Sequence, residues 1–170
     1  AGIILAEAAT IYDGKNAVQS QSYGPEARGG ASKSEVIIAQ DEIDFPEVIQ
    51  ADLMVALSQE ACDKYAARMK PQGLLILDTD QVQSLPERSA VRLPITRLAV
   101  EASGRAITAN VVALGVLVEL SGVVSKEAIA QAVAARAPKG TQEINQRALE
   151  AGFMAAQELT TKDAKVHEGE

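Results

Sequence analysis

A strand–helix–strand pattern in the middle of the chain restricts its fold more than any other sequence feature. Residues 52–57 form an apolar run that predicts a buried strand, and Ser58 follows in the position of a helix N-cap. The predicted helix continues to about Met69, and Pro71 then separates it from a second apolar strand, residues 74–78. Two strands joined through a helix by short connections form a βαβ unit, so the sequence predicts parallel strands with a right-handed crossover.

The rest of the chain fits an α/β fold in which helices dominate the C-terminal part. Aromatic residues make up only 3% of the chain and there is no Trp, so the core must be built from Ala, Val, Ile and Leu. We therefore predict a Rossmann-like three-layer sandwich with a mostly parallel sheet, residues 1–157, followed by a flexible tail, residues 158–170. The further predicted elements are a helix over 2–13, a buried strand over 34–39, a short strand over 92–94, and helices over 94–102, 110–121, 126–136 and from 142 onward.

Residues 17–23 predict a strand of unusual polarity. Gln19 and Gln21 fall on one face and serines on the other, whereas a buried strand is apolar and a half-buried strand alternates. The next residues, 24–30, contain three glycines, a proline and an adjacent Glu/Arg pair, a composition that suits recognition better than packing. The polar strand therefore predicts hydrogen bonds at a subunit interface.

Charge and residue counts exclude several functions. A net charge of −7 and a pI near 4.8 argue against nucleic acid or an acidic membrane as a partner. The longest apolar run, residues 111–118, is too short to span a bilayer. The single cysteine, Cys62, excludes an internal disulfide and favours a cytoplasmic setting. Together with His167 it cannot supply the ligands of an iron–sulfur cluster or a structural zinc site.

Three segments together resemble one protein family over roughly residues 1–155. They are residues 22–30 (SYGPEARGG), 57–65 (LSQEACDKY) and 110–115 (NVVALG). The chain resembles the gamma subunit, or gamma domain, of the thiamine-diphosphate-dependent 2-oxoacid:ferredoxin oxidoreductases, and is most similar to the 2-oxoglutarate type. Members usually carry a strand and a Gly-x-Gly-Gly-Gln-Gly loop before the segment that resembles residues 1–9. The sequence contains neither of them, so the resemblance carries no cofactor-binding role of that loop over to these residues.

The resemblance implies a complex that oxidatively decarboxylates a 2-oxoacid, transfers the acyl group to coenzyme A and passes electrons to ferredoxin. It implies that thiamine diphosphate, Mg²⁺ and the iron–sulfur clusters are bound by partner subunits (alpha, beta and a ferredoxin-like delta), and that this chain binds none of them. The chain is then expected to be structural, to line the edge of the active site, and to be inactive alone.

The candidate contact residues come from the three segments. Arg28 is the first choice because its planar guanidinium suits a carboxylate, a phosphate or a partner carbonyl; pairing with Glu26 or exposure to water is the alternative. The three glycines are explained either by a plain turn or by close approach of the backbone to a ligand. Tyr23 is explained either by core packing or by contact with a partner. The candidates at the edge of the active site or in contact with a partner are Tyr23, Gly24, Glu26, Arg28, Gly29, Gly30, Ser58, Gln59, Glu60 and Asn110.

Several of these residues also have ordinary structural explanations. Ser58, Gln59 and Glu60 follow a strand where open α/β sheets place ligands, but an N-cap with a favourable acid explains them nearly as well. Helix capping is likewise the commoner reason for Asn110.

Two further features invite a chemical interpretation. Asp78 and Asp80 offer two carboxylates to Mg²⁺, although a solvated loop is the better explanation. Cys62 lies in a first helical turn that would lower its thiol pKa, although a small packed residue is the better interpretation.

Two other functions compete with the oxidoreductase subunit. One is a freestanding α/β module that binds a nucleotide or another small ligand. The other is a hydrolase or transferase built on Cys62 or Ser58, for which the sequence offers no convincing base. A homodimer of the isolated chain is also expected, through surfaces that partners would otherwise cover.

Overall fold

The computed structural model describes residues 1–22 and 32–167, with side chains of the last helix described to residue 162. The elements of this part, in chain order, are α1 (Gly2–Glu7), continued by a π-helical turn (Ala8–Tyr12), β1 (Asn16–Ser22), β2 (Lys33–Ala39), β3 (Ala51–Ala56), α2 (Gln59–Tyr65), a 3₁₀ turn (Ala66–Arg68), β4 (Met69–Asp78), β5 (Val91–Leu93), α3 (Ile95–Ser103), a 3₁₀ turn (Ala106–Thr108), α4 (Ala109–Ser121), α5 (Lys126–Arg136) and α6 (Gln142–His167).

The predicted mixed α/β fold with a parallel sheet is confirmed. Strands β3, β4 and β5 form a parallel sheet in that order, and α2 connects the first two strands as the βαβ pattern requires. Ser58 caps α2, because its Oγ accepts a hydrogen bond from the backbone N–H of Ala61 at 3.2 Å. The cap begins the helix directly after the strand, at the carboxyl edge of the sheet.

The strand predicted over residues 34–39 does not belong to this sheet. As β2 it pairs antiparallel with the polar strand β1, and within the described residues these two strands form a separate sheet. The prediction that β2 is buried is wrong: its residues are half-buried or exposed, because the hairpin packs against α1 instead of lying between two layers. The start of α1 lies so close to β2 that a Cβ on Gly2 would stand 2.0 Å from Ser34 Oγ.

The second strand of the parallel sheet begins earlier than the sequence predicts. Strand β4 starts at Met69, and Pro71 lies inside it, where the pairing with β3 is irregular. The helix α2 is correspondingly shorter and passes into the 3₁₀ turn after Tyr65. Proline is tolerated here because an irregular ladder does not require its missing N–H.

Helices α3, α4, α5 and α6 form most of the core together with the parallel sheet. The central helix, α4, buries every residue from Val111 to Val118, as its apolar sequence predicts. It packs directly on α6, which continues to His167 and so includes residues 158–167 of the segment predicted as a tail. No helix in the described ranges is long and apolar enough to cross a membrane.

Candidate functional site

Six of the predicted contact residues lie outside the described part of the chain. They belong to residues 23–31, which join Ser22 to residue 32. Because Ser22 pairs with Lys33, this segment connects the two strands at one end of the hairpin. Their proposed roles stay predictions. The residues concerned are Tyr23, Gly24, Glu26, Arg28, Gly29 and Gly30.

The polar strand that leads into this segment is largely exposed. Gln21 and Ser22 are exposed, whereas Gln19 is half-buried and its Nε2 donates to Ser34 Oγ and to the Ser20 carbonyl, each at 3.0 Å. Gln19 therefore satisfies its amide nitrogen within the hairpin. The interface hypothesis for β1 remains a prediction, with Gln21 as its more accessible glutamine.

Gln59 holds a loop in place at the carboxyl edge of the parallel sheet. Its Oε1 accepts from the backbone N–H groups of Gln83 (2.8 Å) and Ser84 (2.9 Å), while its Nε2 donates to the Ser84 carbonyl and to Asp63 Oδ1. The whole amide is thus used to fasten the loop to α2. The geometry favours structural explanations for Ser58 and Gln59, and the side-chain amide of Gln59 is fully used within the fold.

Asp78 and Asp80 bind the first turn of α3. Asp78 is fully buried and accepts from Thr96 N (3.1 Å), Thr96 Oγ1 (2.5 Å) and Asp80 N (3.1 Å). Asp80 accepts from the backbone N and the Nη2 of Arg97, at 2.8 and 2.9 Å. For Asp78 the explanation as a solvated loop is wrong, because α3 covers the end of β4. The Asp78 carboxylate caps the N-terminus of α3, although it lies on a different element.

The same contacts test whether this pair could hold Mg²⁺. Each carboxylate of the pair is already an acceptor for N–H or O–H donors, and Arg97 places a positive charge beside Asp80. Within the described residues, no three His, Cys, Asp or Glu side chains come together as a metal-binding group. These residues do not fit the metal, so we derive no metal chemistry from them.

Cys62 is a core residue. It is 1% exposed and belongs to a small apolar cluster with Ala66, Met69 and Leu75 beneath α2. Burial, and then the negative charge of Asp63, raise the pKa of its thiol. The prediction that its helix position lowers this pKa is wrong, because removal from water penalises the thiolate. The preferred explanation, a small packed residue, agrees with this burial.

Asn110 is the second residue of α4, not its N-cap, a position that Thr108 occupies. The capping explanation is therefore wrong. Its side chain is half-buried and forms no hydrogen bond with any described residue, and the nearby Ile107 is 82% exposed. Asn110 therefore keeps a side-chain amide available to a partner, and the predicted contact residue Glu60, in the first turn of α2, is exposed.

Taken together, the carboxyl edge of the parallel sheet is closed by the protein's own side chains. Open α/β sheets bind ligands at this edge, but here Ser58, Gln59, Asp78 and Asp80 hold α2, α3 and a loop against it. A shallow depression of about 410 Å³ lies between α2 and residues 85–88. The described polar residues at this edge therefore stabilise the fold of the domain itself.

The fold is a mixed α/β domain whose parallel sheet is closed at its carboxyl edge by the domain's own side chains. The family model for pyruvate ferredoxin/flavodoxin oxidoreductase matches residues 1–155, and the chain belongs to that family.

Two relatives and one solved structure illustrate the match. The chain is 49% identical over 163 residues to 2-oxoglutarate synthase subunit KorC of Methanocaldococcus jannaschii, covering 94% of this chain and 87% of that protein. It is similar to the crystal structure of the keto/oxoacid ferredoxin oxidoreductase gamma subunit of Geobacter sulfurreducens, with a TM-score of 0.82, 52% identity and coverage of 92% and 89%. Ketoisovalerate oxidoreductase subunit VorA of Methanothermobacter marburgensis is 33% identical over 122 residues, 70% of this chain but 25% of that protein.

These findings confirm the family and the kind of subunit that the three sequence segments predict. The chain is a gamma subunit of the 2-oxoacid:ferredoxin oxidoreductase type, and a component of an oxidoreductase complex.

Proposed function

We propose that this chain assembles with alpha and beta subunits, and with a ferredoxin-like delta subunit, into a 2-oxoglutarate:ferredoxin oxidoreductase. The observation that carries the proposal is the 49% identity to a 2-oxoglutarate synthase subunit over 94% of the chain. In this complex 2-oxoglutarate is oxidatively decarboxylated, the acyl group passes to coenzyme A and the electrons pass to ferredoxin.

In this proposal the chain contributes surfaces rather than cofactors. The carboxylates at the sheet edge are occupied by α3, and Cys62 is buried, so the polar groups expected of a reaction centre are used in folding. Thiamine diphosphate, Mg²⁺ and the iron–sulfur clusters then belong to partner subunits. The match to VorA supports close association of this chain with other subunits, because the matching region there is a quarter of one longer polypeptide.

The proposal is tested by purification of the affinity-tagged chain from its native cells. We expect copurification of polypeptides that carry thiamine diphosphate and iron, and reduction of ferredoxin that depends on both 2-oxoglutarate and coenzyme A. Pyruvate in place of 2-oxoglutarate is the matched control for the substrate. Activity with pyruvate and none with 2-oxoglutarate would contradict the proposed substrate.

The structural role is tested separately on the chain expressed alone. We expect a folded protein, a homodimer by the sequence prediction, that reduces no ferredoxin with any 2-oxoacid. Turnover by the isolated chain would contradict the structural role.

A further inference from the structure

The connection between β2 and β3 combines exposed apolar side chains with unneutralised acids. We call residues 41–49 the acidic loop. Ile49 is 76% exposed and Phe45 is 59% exposed, although both are large apolar side chains that a folded domain normally covers. Neither Lys nor Arg occurs from Ser34 to Asp63. The exposed acids of the loop are Asp41, Glu42, Asp44 and Glu47.

The negative charge of the acidic loop is not compensated within the described part of the chain. None of the ion pairs found there includes one of its four acids. Some other acids on this domain are paired, as Glu7 is with Arg136 and Asp52 with Lys70. The loop therefore presents an apolar pair surrounded by a concentrated negative potential.

The loop is anchored where it leaves the hairpin. The Nδ2 of Asn16 donates to the carbonyls of Gln40 and Asp41 at 3.1 and 3.0 Å. Pro46 fixes its own backbone angle and restricts that of Phe45, which lies immediately before it. A loop restricted in this way loses less conformational entropy when a partner orders it.

The acidic loop leaves the hairpin at the end opposite to Ser22. Asn16 pairs with Ala39 at one end and Ser22 with Lys33 at the other. The seven paired residues span six steps of about 3.4 Å, which separates the two ends by about 20 Å. A contact through the acidic loop would therefore lie about 20 Å from the end of the hairpin at Ser22.

We propose that the acidic loop docks onto another subunit of the complex, at a surface where Lys or Arg side chains surround an apolar recess for Phe45 and Ile49. This inference rests on the proposed function, because it assigns a surface to that assembly. Opposite charge at the rim steers association, while burial of the apolar pair supplies most of the stability.

The charge of the loop selects among the possible occupants. Phosphates of nucleic acid or anionic lipid would be repelled by four carboxylates, so a basic protein surface fits best. A second copy of this chain carries the same loop and a net charge of −7, which disfavours pairing of the loop with itself. Self-association through the loop is retained as an outcome of the test.

The test uses the complete complex, reconstituted from the tagged chain and its copurified partner subunits. Phe45→Ser with Ile49→Ser should weaken association at least about tenfold, as loss of central apolar contacts does in other interfaces. Replacement of the four acids by Asn or Gln should slow association and flatten its dependence on salt. Circular dichroism of each variant alone should match the unmodified chain, because all the changed side chains are exposed.

A matched control changes the same kinds of residue in another loop. Leu85 is 48% exposed and Glu87 is an exposed acid, so Leu85→Ser with Glu87→Gln should leave association unchanged. Equal assembly by unmodified and acidic-loop variants would overturn this inference and leave the proposed function intact. Failure of the unmodified chain to bind any thiamine-bearing subunit would overturn both. Loss of a homodimer, with the complex unaffected, would assign the loop to self-association and overturn the inference.

Discussion

Arg88 shows how a single side chain fastens an irregular part of the sheet. Its Nη2 donates to the carbonyls of Lys70 (2.8 Å) and Gly73 (3.2 Å), and its Nη1 to that of Ala66 (3.2 Å). These carbonyls belong to the 3₁₀ turn and to the part of β4 where the regular ladder with β3 is interrupted. The planar guanidinium matches several acceptors at once, which an ammonium group cannot do.

Arg88→Ala should therefore destabilise the domain by about 2 to 3 kcal/mol, because several carbonyls lose a charged donor. Chemical unfolding followed by circular dichroism measures this change, since the chain contains no Trp. Arg105→Ala is the matched control, because the side chain of Arg105 is exposed and forms no hydrogen bond or ion pair with the described residues. Equal stabilities of the two variants would show that the carbonyl contacts contribute nothing.

Asp13 should govern part of the loss of stability in acid. The Ser125 hydroxyl donates to Oδ1 and the Ser125 N–H to Oδ2, each at 2.6 Å, and the hydroxyl bond is the largest cause that lowers the pKa of this carboxyl. A group whose pKa is lowered by folding stabilises the protein above its unfolded pKa of 3.8, and this contribution is lost as the pH falls through the folded pKa.

We therefore expect Asp13→Asn to reduce stability near neutral pH and to flatten the decline of unfolding free energy below about pH 4. Urea unfolding at a series of pH values measures it. Glu150→Gln, which changes an exposed acid of α6, should leave the curve unchanged. If Asp13→Asn declines in acid as steeply as the unmodified chain, the carboxylate is not responsible.

Sequence alone predicts residue roles that depend on near neighbours. Ser58 is both predicted and observed as an N-cap, because the N–H group from which its Oγ accepts a hydrogen bond lies three residues away. The roles of Gln59 and Arg88 were missed, since their partners are 25 and up to 22 positions distant. No local pattern marks a glutamine that will bind a loop formed later in the chain.

At the scale of elements, the crossing of α4 and α6 depends on two glycines that face each other. A Cβ on Gly115 would stand 2.4 Å from the Leu149 carbonyl, and one on Gly152 would stand 2.2 Å from the Val112 carbonyl. The obstructing atoms are backbone, which cannot move without separating the helices. The two helices consequently pack closer than any side chain allows.

Gly115→Ala and Gly152→Ala should each destabilise the domain by about 3 kcal/mol or more, because the helices must separate throughout a buried core. Gly104→Ala is an informative comparison. Its φ of 73° disfavours alanine, but no atom lies within 4 Å of the added Cβ, so about 1 kcal/mol is expected. Thermal unfolding compares the three variants, and a larger loss at Gly104 would contradict the close-packing argument.

The ends of the helices were predictable, whereas the placement of strands was less so. Gly104 and Gly122 end α3 and α4 in the left-handed conformation, as their positions after apolar runs indicate. Strand β2 was expected in a buried sheet because Val36, Ile37 and Ile38 are apolar, yet it lies in a hairpin over α1. Pairing partners depend on tertiary contacts, and an apolar run does not specify them.

At the scale of the whole molecule, the sequence predicted the class of fold and the family, while Ser58 and Gln59 of the described candidate site form contacts within the fold. The sequence predicts a ligand site at the carboxyl edge of the sheet because open α/β sheets often bind ligands there. In the structure α3 and a loop cover this edge, held by Asp78, Asp80 and Gln59. Partner surfaces are harder to identify, since an exposed Phe45 or a half-buried Asn110 is recognisable only when the fold shows what remains uncovered.

The sharpest prediction at the scale of the whole molecule concerns Arg28, which lies in the glycine-rich residues 24–30. Arg28→Ala should lower turnover or assembly of the complete complex at least about tenfold, because a guanidinium that binds a partner carboxylate, phosphate or carbonyl leaves that group unpaired when removed. The stability of the isolated chain should not change. Turnover and association constants of the purified complex measure the effect, with Arg105→Ala as the exposed control. If Arg28→Ala behaves like that control in both measurements, Arg28 faces water or pairs with Glu26, and partner recognition must depend on other residues, with the acidic loop the first of them to test.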